Sequence, residues 1–137
     1  MTKKELAVEL HDSGCNCAQS VVSVFCAEAG ADEETMRALT QRYGHGAYKY
    51  CGAVMAAVTA MNMLQGDLNP EDPASFDGAA ADKVRSLLRR FEEKNGSVFC
   101  RELKGIDTGI MLRSCNGCIE DAVEITEDIL KNGAKAE

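Results

Sequence analysis

The chain of 137 residues has no tryptophan, only two prolines and two histidines, and 5% aromatic residues. Long apolar runs are also missing. A membrane span needs about 18 consecutive apolar residues, and the longest candidate, residues 51–64, stops short of that and is rich in alanine. The N-terminal stretch MTKKELAVELHDSG carries charges every few residues, with no apolar h-region and no small-residue cleavage site. A secretory signal is therefore not expected, and a cytoplasmic location is. An excess of basic charge is lacking too: 15 Lys and Arg stand against 22 Asp and Glu, for a net charge of −7. That balance argues against nucleic acid and against an anionic membrane surface as partners. Low-complexity tracts are absent. The one breaker-rich patch, QGDLNPEDPASFDG, holds both prolines and reads as a surface loop inside a single domain spanning 1–137. A domain of this length buries a core without staples.

Cysteine is abundant by contrast, with seven residues at positions 15, 17, 26, 51, 100, 115 and 118. An odd number in a reducing compartment does not describe a framework of structural disulfides. Three roles remain: ligation of a metal or cluster, redox chemistry, and plain burial, since free cysteine packs as a small hydrophobe.

The apolar spacing predicts an all-α bundle of about five to six helices around a central apolar helix. Thr2 and Glu5 form a capping-box signature ahead of Leu6 and Leu10. A second helix is expected from Cys17 to Ala29, with Gly30 as its stop. A third runs from Asp32 to about Tyr43. RYGHGAYKY breaks the pattern, and CGAVMAAVTAMNML, apolar on nearly every side, belongs in the middle of a bundle. Residues 77–95 carry a stripe of Val84, Leu87, Leu88 and Phe91 closed by Gly96. CRELKG reads as a short turn, and IDTGIMLRS is ambiguous. CNGCIEDAVEITEDILKNG gives the last helix, stopped by Gly133. No two segments alternate strictly enough to be paired strands.

On this map Cys17, Cys51, Cys100 and Cys115 each stand at or just before the first turn of a helix. The unsatisfied N–H groups and partial positive charge there favour a thiolate over a thiol. The thiolate is the form that binds metal or attacks a disulfide. Four such positions converging at one end of a bundle would suit an iron–sulfur cluster or a tetrahedral zinc. Cys26, inside the apolar stripe of the second helix, reads as core. Cys115 and Cys118 form a Cys-x-x-Cys pair, CNGC, a spacing shared by zinc, cluster and redox dithiol sites. Cys15 and Cys17 form a Cys-x-Cys pair. His11 reads as a surface residue, and His45, between Gly44 and Gly46, is a candidate to ligate or donate to a bound group. Tyr43, Tyr48 and Tyr50 either wall a pocket or pack the start of the central helix. The carboxylates at 33, 34, 92, 93, 120, 121, 124, 127 and 128 read as solvated helix faces.

GCNCAQSV, GHGAYKYCGAV, CRELKG and a cysteine leading into EDAVEI occur in this order, in a resemblance that runs over about residues 3–131. The chain thereby resembles the C-GCAxxG-C-C family of putative redox-active proteins. The resemblance implies that Cys17, Cys51 and Cys100 are the first three family cysteines. The fourth is Cys115 if EDAVEI is kept in register, with Cys118 as its competitor. Ala56 stands where the family has a glycine, and Cys15, Cys26 and Cys118 are additions. The family supplies no substrate or reaction.

Three functions follow. The first is a small redox protein holding an iron–sulfur cluster on Cys17, Cys51, Cys100 and Cys115, serving an unknown redox partner protein. The second is a cofactor-free thiol–disulfide protein, with Cys115 and Cys118, or Cys15 and Cys17, as the natural redox pairs. The third is a zinc module built on Cys15, Cys17, Cys115 and Cys118. The Ala- and Met-rich central helix would also accommodate a homodimer interface.

Overall fold

The computed structural model describes residues 1–46 and 49–133, and for Ala29, His45 and Gly46 the backbone alone. The described residues form eight α-helices, six of them of seven residues or more, and no strand. They are α1 (Lys3–Asp12), α2 (Cys17–Ser23), α3 (Cys26–Ala29), α4 (Glu33–Thr40), α5 (Gly52–Leu64), α6 (Ala81–Asn95), α7 (Cys100–Lys104) and α8 (Cys115–Asn132). A 3-10 helix over Gln41–Gly46 leads on from α4.

The central apolar helix is α5. Every residue from Gly52 to Asn62 is buried, because α2, α8, α6, α3 and the 3-10 helix pack around it. Ala56, at the position of the family glycine, is fully enclosed. The small side chains of α5 let its neighbours approach, and Phe25, Phe91, Met36, Met61 and Leu87 fill the space between helices. The longest helix, α8, has α1 on one flank and α6 on another.

The boundaries differ from the sequence expectation in four places, each for a local reason. The helix expected from Cys17 to Ala29 breaks after Ser23, where the hydroxyl of Ser23 donates to the Gln19 carbonyl at 2.7 Å. Back-bonding of this kind, beside the β-branched run of Val21, Val22 and Val24, loosens a helical turn. The helix from Asp32 tightens into 3-10 geometry after Thr40, a common way to finish a helix. The start of α6 is delayed to Ala81 because the Asp67 carboxylate accepts from the Ala79 N–H at 2.7 Å and ties the preceding residues to the loop. CRELK, expected as a turn, is the single-turn helix α7.

The ambiguous stretch after α7 is a loop folded back on that helix. The N–H groups of Leu112 and Arg113 both donate to the Leu103 carbonyl, at 2.9 and 3.2 Å. Gly105 makes the fold-back feasible. It adopts a φ of +69°, and a Cβ there would run into the backbone of Ile110. The loop therefore brings Arg113, just ahead of α8, back beside α7.

A thiol-lined cavity at the helix starts

Each family-matched cysteine is held at a helix start by its immediate sequence. Cys17 is the first residue of α2 because Asn16 caps the helix. The Asn16 side chain accepts from the Gln19 N–H at 2.8 Å, and the Gln19 side chain accepts from the Asn16 N–H at 3.0 Å. This reciprocal cap is the physical content of Asn-Cys-Ala-Gln, and the three-residue spacing of a capping box was the signal for it. Cys51 is the N-cap of α5, and Cys100 is the first residue of α7. Cys115 opens α8 behind Ser114, whose hydroxyl accepts from the Gly117 N–H at 3.0 Å.

Cys51 and Cys100 are brought side by side by a short antiparallel bridge. The Cys51 N–H donates to the Val98 carbonyl at 2.8 Å, and the Cys100 N–H donates to the Lys49 carbonyl at 3.2 Å. Tyr50 packs on both Phe99 and Phe76 with ring centroids 5.1 Å apart, and Lys49 lies 4.8 Å from the Phe99 ring centre. Tyr50 thus packs the start of α5, Tyr43 is buried in the core, and Tyr48 lies outside the described residues. No pairing of strands was expected, and one bridge is all that forms among the described residues.

Gly52 sets how closely Cys17 can approach. A Cβ on Gly52 would lie 2.5 Å from the Cys17 sulfur and 2.5 Å from the Tyr43 carbonyl oxygen. The glycine after Cys51 therefore leaves the space through which α2 seats its cysteine against α5.

The result is one cavity lined by five cysteines: 17, 51, 100, 115 and 118. Leu103, Lys104, Arg113 and Gly52 complete the wall. The space within it for the centres of water-sized molecules is about 20 Å³. Cys51 and Cys118 are buried, while Cys17, Cys100 and Cys115 are half-exposed. No disulfide joins any of the seven cysteines, all of which are described residues.

The electrostatics divide the thiols. The Cys118 thiol hydrogen-bonds Cys51 and brings it down to about 7, outweighing burial; the Val54 and Ala53 N–H groups and the Lys104 charge help. Seen from Cys118, the same hydrogen bond, together with burial and the nearby Cys51 charge, holds the proton on and pushes its thiol far up. Burial raises Cys100, against the pull of Lys104. Burial would lower Lys104, yet the charges of Cys115 and Cys100, a hydrogen bond to Cys115 and the charge of Cys17 hold its ammonium above the ordinary value. Lys104 is thus the cation that faces the cysteines.

The other wall cation, Arg113, is anchored by a buried carboxylate. Asp121 is 1% exposed. It accepts from Arg113 at 3.1 Å and pairs with Lys94 at 2.7 Å. Residue 121, expected on a solvated helix face, is instead buried, because Arg113 from the loop before α8 and Lys94 at the end of α6 close over it. His11 is likewise not a plain surface residue. It is half-buried, with its Nδ1 2.6 Å from the Asn116 side-chain oxygen in α8. The His45 side chain lies outside the described residues. Cys26 is core, its sulfur 3.4 Å from the Val22 carbonyl. Cys15 is not part of the cavity wall; Cys118 is. As they stand, no three His, Cys, Asp or Glu among the described residues are placed to share one metal ion.

A family model described as C_GCAxxG_C_C, putative redox-active protein, matches residues 15–129. The chain belongs to this family. Membership supports redox activity in a cysteine-rich, all-α domain. The four cysteines read as the family set are four of the five that line the cavity. No curated protein and no solved structure matched the chain. No helix among the described residues is long and apolar enough to cross a membrane.

Proposed function

We propose that the protein is a cytoplasmic electron-transfer protein that holds an iron–sulfur cluster on Cys17, Cys51, Cys100 and Cys115, and that an unknown redox partner protein exchanges electrons with it. One observation carries this reading: four helix starts, scattered over about a hundred residues of chain, bring their cysteines to one cavity. A dithiol needs two of them; a cluster takes four thiolates.

The donor set fits such a group. It is all sulfur, three of its members open toward solvent, and Lys104 and Arg113 supply positive charge beside it. The cysteines as they stand are not placed to share one metal ion, so their sulfurs would have to shift to ligate a cluster. When bound, the cluster would supply one-electron chemistry. The chain's own residues would ligate it, orient first-turn N–H groups toward the sulfurs, and tune the potential through Lys104. Four thiolates would also suit zinc, and metal analysis separates the two.

The test is anaerobic purification and reconstitution, followed by a visible spectrum with iron, sulfide and zinc analysis. Iron and sulfide in stoichiometric amounts are expected. In Cys100→Ser, bound iron should fall on the order of tenfold or more. A colourless protein that takes up no iron sinks the reading, and stoichiometric zinc replaces it with a structural site.

A further inference from the structure

Single exposed aliphatic side chains are ordinary on a protein surface, but a contiguous group of them marks a contact site. Among the described residues six large apolar side chains are exposed. Four of them, Ile106, Ile110, Met111 and Leu112, fall in the loop between α7 and α8, at 47–67% exposure. The loop is braced, so this exposure is built in. The Ile106 and Gly109 N–H groups donate to the carbonyls of Arg101 and Gly105 at 3.0 and 2.8 Å, and those of Leu112 and Arg113 to Leu103. The Thr108 hydroxyl accepts from the Ile110 N–H at 3.1 Å, and Arg101 closes on Asp107 with two hydrogen bonds. A backbone tied down in this way holds its apolar side chains in water instead of folding them under.

The loop stands at the rim of the thiol-lined cavity. Lys104 and Arg113, which bound it, are wall residues, and Leu103, which takes its N–H groups, is a third. The charge there is opposite in sign to that of the whole chain. Residues 96–115 carry three cations and two carboxylates, in a chain of net charge −7. Both carboxylates are engaged, Asp107 by Arg101 and Glu102 by the Ser97 hydroxyl. Arg113 is taken up by Asp121 and Glu120. Lys104 and Lys49 are in no ion pair among the described residues. Lys49 belongs to the same end of the molecule, since its carbonyl takes the Cys100 N–H and its ammonium lies over the Phe99 ring. We propose that this apolar loop, with Lys49 and Lys104, is the docking surface for a small acidic electron-carrier protein whose own contact face has an apolar centre and a rim of carboxylates. Such a rim is attracted by the two lysines and repelled by the acidic remainder of the chain, which orients the carrier on the cavity. A basic carrier would be drawn to that remainder, away from the thiols, and an anionic bilayer is repelled by the same net charge. The inference rests on the redox reading of this cavity and does not require the cluster.

The experiment uses the full chain, both iron-free and after reconstitution. The probes are two acidic carriers, a flavodoxin and a plant-type ferredoxin, with basic cytochrome c as the probe of opposite sign. Calorimetric titration at low salt should show saturable binding of an acidic carrier, weakened on the order of tenfold at about 0.5 M salt, and no binding of cytochrome c. The double variant Ile110→Ser/Met111→Ser changes exposed positions only. Shown folded by circular dichroism, it should lose on the order of tenfold in affinity. Lys49→Glu should lose roughly fivefold, and both variants should take up iron as the unaltered chain does. Failure of both acidic carriers to bind, cytochrome c binding as tightly, or unchanged binding by the double variant would overturn the inference. Binding to neutral vesicles that the double variant loses makes the loop a membrane contact instead, and dimerisation that the double variant loses makes it a contact with a second copy; either result also overturns it. A chain that takes up iron and binds neither acidic carrier loses the docking surface alone. One that binds a carrier and takes up no iron loses the cluster alone.

Discussion

Cys51 and Cys26 are both buried, at 5% and 2% exposure, and burial pushes both thiols toward the neutral form. Their acidities nevertheless move in opposite directions. Burial takes Cys26 up to about 11, with the Glu33 charge adding to it. Its sulfur sits inside the apolar face of the bundle, with a backbone carbonyl as its partner. Cys51 goes down to about 7, because it caps α5 and has a second thiol beside it. Burial alone therefore does not decide what a cysteine can do. The direction of the surrounding dipoles does: N–H groups and a donor thiol favour the thiolate, and a carbonyl with nearby carboxylates favours the thiol.

The strongest way to break this contrast is to remove each sulfur in turn and follow thiolate absorbance with pH in the metal-free protein. Cys51→Ser should abolish the ionisation centred near pH 7, while Cys26→Ser should leave it in place. If Cys26→Ser removes it instead, the assignment is reversed. Next in size is Gly52→Ala. The added methyl meets the Cys17 sulfur and a backbone carbonyl, and overpacking of this kind costs about 3 kcal/mol. Denaturant unfolding should show that loss, and a loss under about 0.5 kcal/mol would mean that α2 can stand further from α5. Asp121→Asn should cost roughly 2 kcal/mol through its charged hydrogen bonds, measured in the same way.

Stability against pH gives a smaller effect of definite sign. Cys51 is more acidic folded than at the ordinary thiol value of 9.0. Its contribution is fully present above pH 9 and is lost as pH falls through about 7. Cys26 is less acidic folded, so its contribution is present below pH 9 and is lost as pH rises toward 11; Cys118 acts in the same sense. Urea midpoints should therefore rise from pH 7 to 9 and fall above it, and Cys51→Ser should flatten the rising limb. The mildest change is Lys104→Gln, which should move the Cys51 ionisation upward, since Lys104 is the weakest of the influences that lower it.

Much of the bundle was legible from local pattern. The apolar run that became α5, the stripe of α6 and the glycine stops at 30, 96 and 133 all sit where helical periodicity and C-cap preference place them. Cys17, Cys51, Cys100 and Cys115 were placed at helix starts from the same pattern, and they lie there. The Asn16–Gln19 cap is readable too, from an Asn and a Gln three residues apart. Misplaced boundaries came from side chains that bind their own backbone, such as Ser23, or a distant segment, such as Asp67.

By itself, then, the sequence determined the longer helical segments and the cysteines at their starts, though not that CRELK is helical, because caps, glycine stops and periodicity act within a few residues. Only the tertiary structure decided that Cys118 rather than Cys15 lines the cavity and that Asp121 is buried. Those outcomes depend on contacts across the chain. The 49–51 and 98–100 bridge, the fold-back of the loop onto Leu103 and the space left by Gly52 set them, and no local pattern encodes which distant backbone group a given N–H will find.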